Sequence, residues 1–70
     1  MGTENVDEVG RLFADITAHL EDAHEFATAG QNPRRATSER SAQAQEIREH
    51  AHAIYAALAA IERLIERELS

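Results

Sequence analysis

Apolar residues recur along this chain in two trains of alternating three- and four-residue steps. The first comprises Val6, Val9, Phe13, Ile16, Leu20, Ala23 and Ala27, and the second Ile47, Ala51, Ile54, Leu58, Ile61 and Ile65. Such spacing keeps each train on one face of a helix, and neither segment alternates every second residue as a half-buried strand would. The trains predict helix 1 over about residues 4–29 and helix 2 reaching about residue 69. Thr3 or Asn5 can cap helix 1, Asp7 and Glu8 suit the positive end of its dipole, and Gly30 is placed to end it in a left-handed conformation. Asn32-Pro33 reads as an N-cap followed by the first helical position of helix 2. Ser38 is an equally ordinary cap, so the turn covers about residues 30–32 or extends to 37. We start helix 2 at Asn32.

A connection this short, "AGQNP", folds the helices back as an antiparallel hairpin. The expected fold is therefore all-α, a single helical-hairpin domain over residues 1–70. A lone hairpin has little core, and no cysteine is present to add a disulfide. The hairpin is thus expected to complete a four-helix bundle, either by dimerisation or by packing on a partner.

The face left for that packing follows from a heptad assignment. With Phe13 and Leu20 at position a of helix 1 and Leu58 at a of helix 2, the a and d stripes are expected to meet between the helices. Position g then holds Leu12, His19 and Phe26 in helix 1 and His50, Ala57 and Leu64 in helix 2. Same-letter stripes of an antiparallel pair flank one side, so these six should line one open face. If helix 2 starts near Asn32 it outruns helix 1 beyond Leu58, leaving Ile61, Leu64, Ile65 and Leu69 in need of cover. The expected partner-binding surface is accordingly Leu12, His19, Phe26, His50, Ala57, Ile61, Leu64, Ile65 and Leu69. For His19 and His50, solvated flank residues and a functional pair are both open readings. Tyr55, at e, reads as a packed aromatic with a wet hydroxyl.

Charge narrows the partners. The formal net charge is -6, and the 7 cations are all arginine. Up to residue 29 only Arg11 opposes the carboxylates, so this half is repelled by a phosphate backbone, and direct nucleic-acid binding is not expected. The locally basic "NPRRATSER" reads as a solvated turn. The chain opens "MGTENVDEVG", acidic and without the apolar run of a signal peptide or membrane span, which makes a cytoplasmic protein without membrane contact the expectation.

Two stretches raise a metal question: "EDAH", Glu21 to His24, and "EHAH", Glu49 to His52, spell the Glu-x-x-His pair of di-iron bundles. In that motif the ligands point into the bundle, whereas here Glu21, Glu49 and His52 fall at outer positions and His24 on a flank. His50 and His52 are about 200° apart on a helix and cannot share an ion. No cofactor is therefore expected, with a small di-iron carboxylate protein kept as the minor alternative. Thr17, Thr28, Thr37, Ser38 and Ser41 form no inferable nucleophile–base arrangement, and no glycine-rich phosphate loop occurs, so no enzymatic activity is expected.

The stretch "LEDAHEFATAGQN", Leu20 to Asn32, followed by a second alanine-rich helix, resembles small rhizobial-type quorum-sensing antiactivators of the QseM kind. The likeness lies in Leu20-Glu21-Asp22-Ala23, Ala27 and Gly30-Gln31. It implies a non-enzymatic protein that sequesters a transcriptional activator of conjugative transfer. A structural homodimeric four-helix bundle and an acidic DNA-mimic inhibitor share the same acidity and uncovered apolar face.

Overall fold

In the computed structural model, which describes the backbone of residues 2–69 and the side chains of residues 7–69, two helices pack against each other as a hairpin. α1 spans Gly2–Gly30 and α2 spans Thr37–Leu69, and no strand occurs among the described residues. The all-α hairpin is thus as the periodicity predicts. It forms a rod of 53 × 15 × 11 Å with a radius of gyration of 16.1 Å, where a compact chain of this length has about 11 Å.

The helix ends differ from the sequence expectation, and each difference has a local cause. α1 begins at Gly2 and runs on through Thr3 and Asn5, the expected caps; their side chains, with that of Val6, lie outside the described residues. Gly30 is not left-handed, for no glycine has positive φ. The last turn of α1 instead tightens through i→i−3 bonds, Gln31 N to Thr28 O at 3.2 Å and Asn32 N to Ala29 O at 3.3 Å. Arg40 then reaches back from α2, its Nε donating to the Gly30 carbonyl at 3.0 Å. A cation at that end also meets the negative pole of the helix dipole.

Asn32-Pro33 opens a turn rather than helix 2. Arg34 N donates to Asn32 Oδ1 at 3.0 Å and Arg35 N to Asn32 O at 3.2 Å, the side-chain mimicry of a turn at which Asn excels. Ser38 is not the cap either. Ala36 occupies that position: its carbonyl accepts from Arg40 N at 3.0 Å, and its N–H donates to Glu39 Oε1 at 3.1 Å. This is one half of a capping box, with the glutamate in place and the cap hydroxyl missing. The Arg35–Glu39 pair beside it, 3.8 Å apart and exposed, adds little.

With α2 starting at Thr37 and α1 at Gly2, the two helices are nearly matched in length, so the expected overhang beyond Leu58 does not exist. Ile61 and Leu64, expected to need a partner, are 3% and 9% exposed and with Ala57 form the buried core.

The incomplete capping box makes a direct prediction. Ala36→Ser supplies the missing oxygen for the first-turn N–H groups and should stabilise the protein by about 1 kcal/mol, read as a higher urea midpoint at unchanged slope. An unchanged midpoint would show that Ala36 is not the cap.

Candidate functional site

Both helices carry an apolar stripe three heptad positions wide, g, d and a, and each touches its neighbour along only two of them. The pair in contact is g and d. In α2 the buried side chains are Ala57 and Leu64 at g and Ile61 at d, while Leu12, His19, Phe26 and His50 at g, and Ile16, Ala23, Ile47 and Ile54 at d, are half-buried. The g stripe, expected to form the open face, is therefore the seam. Of the nine residues expected to bind a partner, only Ile65 and Leu69 stand exposed, at 43% and 83%.

Stripe a is the one left out, apart from the half-buried Ala51. Phe13 is 50% exposed, Leu20 56% and Leu58 38%. Ile65 continues the stripe, and beyond it a groove lined by Val9, Ile65, Glu68 and Leu69 extends the face toward the chain ends. Tyr55, at the adjoining position e, is 72% exposed and does not pack as expected. The sequence reading missed Phe13, Leu20, Tyr55 and Leu58 because their bulk favoured a as the core. The signal that identifies g instead is the two histidines. Polar residues at matched levels of an antiparallel seam can satisfy each other, whereas at the rim of an open apolar face they have no role.

That mutual satisfaction is the central polar feature of the seam. His19 Nδ1 and His50 Nδ1 lie 2.7 Å apart, the ring centroids 4.9 Å apart. The contact requires one ring to donate its Nδ1–H while the other keeps Nδ1 bare. Phe26, two turns further along the same stripe from His19, stacks on His50 with centroids 6.1 Å apart and planes inclined by 27°. At the loop end, Phe26, Ala27, Gly30, Arg40, Gln43 and Ile47 line a groove in which Gln43 Oε1 is buried without a hydrogen-bond partner.

The remaining chemistry disperses. Glu21, His24, Glu49 and His52 are all exposed, and no group of three or more His, Asp or Glu side chains converges among the described residues. Thr17 Oγ1 donates to Phe13 O at 3.2 Å and Thr28 Oγ1 to His24 O at 2.9 Å, so both hydroxyls are spent on helix carbonyls. Among the described residues no helix is long and apolar enough to cross a membrane.

The geometry defines an all-α helical hairpin with one polar seam and one open apolar face. No protein-family model matches the chain, and no curated protein or solved structure does so significantly.

If the two histidines act as a unit, their substitutions are not additive. A double-mutant cycle on His19→Ala and His50→Ala should give a coupling of about 0.5–1.5 kcal/mol. Additive losses in the unfolding free energies would mean that the rings do not bond to each other.

Proposed function

We propose that the chain is a non-enzymatic, cytoplasmic protein-binding regulator, an antiactivator that sequesters a transcriptional activator on the Phe13–Leu20–Leu58–Ile65 face. The observation that carries this reading is the face itself: four bulky apolar side chains, 38–56% exposed, on one side of the rod. A compact monomer of 7.8 kDa exposes about 4,400 Å², and this chain exposes 5423 Å². The excess, about 1,000 Å², is the size of one partner's share of a standard interface, about 800 Å². Two amphipathic helices of a partner laid along the a stripes complete a four-helix bundle and cover it.

Gly10 supports a docked helix on this side. It occupies position e, beside stripe a, in the interior of α1, and an added Cβ would meet nothing within 4 Å. A helical glycine costs about 0.5–1 kcal/mol relative to alanine, and the hairpin by itself draws no benefit from it. A close-packed partner backbone does.

The resemblance around Leu20 to Gln31 supplies the class of partner, a quorum-sensing activator, and the net charge of -6 fits a protein that acts on the activator rather than on its DNA. A second copy of the chain is the competing occupant, since the a face can pair with itself about a two-fold axis. A DNA mimic would act instead through outer carboxylates such as Asp15 and Asp22.

The test is a gel shift of an activator–operator complex titrated with this protein. The parent should release the DNA without binding it, and Leu20→Glu should need about 30-fold more protein for the same effect, the equivalent of a hot spot of about 2 kcal/mol. Equal potency of Leu20→Glu, with loss of effect in Asp15→Asn, Asp22→Asn, would sink the apolar-face reading in favour of the mimic.

Gly10→Ala separates folding from docking. It should stabilise the isolated chain by about 0.5–1 kcal/mol while weakening partner binding. A variant that is both more stable and equally potent would remove Gly10 from the interface.

A further inference from the structure

The His19–His50 contact places two imidazole nitrogens so that both address one point in the seam. We propose that the pair is a bis-histidine chelate for a transition-metal dication of the zinc class, which would staple α1 to α2 at mid-rod. A single proton now bridges nitrogens 2.7 Å apart. Displacing that proton, by moving it to Nε2 of its own ring, leaves two lone pairs facing each other across the seam. A tetrahedral zinc ion with Zn–N bonds of about 2.0–2.1 Å holds its nitrogens about 3.3 Å apart. The nitrogens therefore need to part by about 0.6 Å and each ring to swing off the present head-on line, side-chain adjustments at half-buried positions.

The surroundings favour a cation. Asp15 and Asp22 stand at i−4 and i+3 from His19, and Glu46 at i−4 from His50, so all three occupy position c, the side of the seam away from the apolar face. All three are exposed and carry no ion pair among the described residues. They do not converge with the histidines in the present rotamers, and water or one swung carboxylate would complete the coordination. Within the seam itself, Phe26 stacks on His50. At the i±3 and i±4 positions of the two histidines the charged groups are thus three carboxylates and no arginine. This site is distinct from the two Glu-x-x-His motifs, whose members all face solvent.

The experiment uses the full-length chain, freed of metal by chelator and exchanged into a non-coordinating buffer. Zinc chloride at about tenfold above its dissociation constant should raise Tm by about 5–10 °C, with one ion bound per chain in calorimetry. A His24→Gln, His52→Gln variant should respond as the parent does, and His19→Gln and His50→Gln should not respond. Because a seam variant can fail to fold, ring nitrogen resonances of the parent supply an independent readout: zinc should move Nδ1 of His19 and His50 and leave those of His24 and His52 in place. No change in Tm, a response that survives in His19→Gln, or shifts confined to His24 and His52 would each overturn the proposal.

Discussion

Two helices can touch along only one seam, and most of this molecule follows from that constraint. Each helix carries an apolar arc covering three heptad positions, and the hairpin uses two. Choosing g and d buries Ala57, Ile61 and Leu64, with the small Ala57 permitting close approach. The same choice leaves stripe a in water, so the exposed face is the direct remainder of the packing rather than an additional feature. A third and fourth helix would use the whole arc. The rod's excess surface and its extended dimensions are two measures of the same unmet packing.

The existence and pairing of the helices were legible in the sequence because they depend on periodicity, which survives any rotation of the helix about its axis. The identity of the buried stripes was not, because a/d and d/g packing satisfy the same three-four rhythm. Bulk pointed to a, through Phe13, Leu20 and Leu58. What decides in the other direction is partnership across the seam. His19 and His50 at g bond to each other, whereas at a comparable spacing the a stripe offers large apolar groups that two helices alone cannot enclose. The helix ends were misread for a related reason. Gly30 and Asn32-Pro33 have strong intrinsic meanings, but Arg40 reaching the Gly30 carbonyl and Glu39 reaching the Ala36 N–H are bonds between residues whose proximity exists only after the chain has turned.

A polar pair in a seam this thin has a consequence for register. Sliding α2 past α1 by one turn would separate His19 from His50 and leave two half-buried imidazoles without partners, a loss larger than the gain from making their bond. Apolar side chains alone discriminate weakly among such slips, because leucine and alanine pack acceptably at several levels. The histidines thus fix the alignment, at the expense of some hydrophobic stabilisation, as a single buried polar residue does in coiled coils. Gln43 shows the opposite case. Its buried oxygen lacks a side-chain or backbone partner, so it holds no register, and it lies at the loop end where Arg40 already bonds the Gly30 carbonyl.

Fixing the seam also fixes what lies on either side of it. Position a, with Phe13, Leu20, Leu58 and Ile65, opens on one flank, and position c, with Asp15, Asp22 and Glu46, on the other. An apolar face and a face with three carboxylates are therefore held on opposite flanks of the seam, with the histidines between them. The side chains of the seam set the spacing of α1 and α2. That spacing is the width of the groove between the two a stripes into which a partner helix would fit. The seam and the proposed recognition surface are in this way neighbours in so thin a molecule, built from side chains that belong to adjacent stripes of the same two helices.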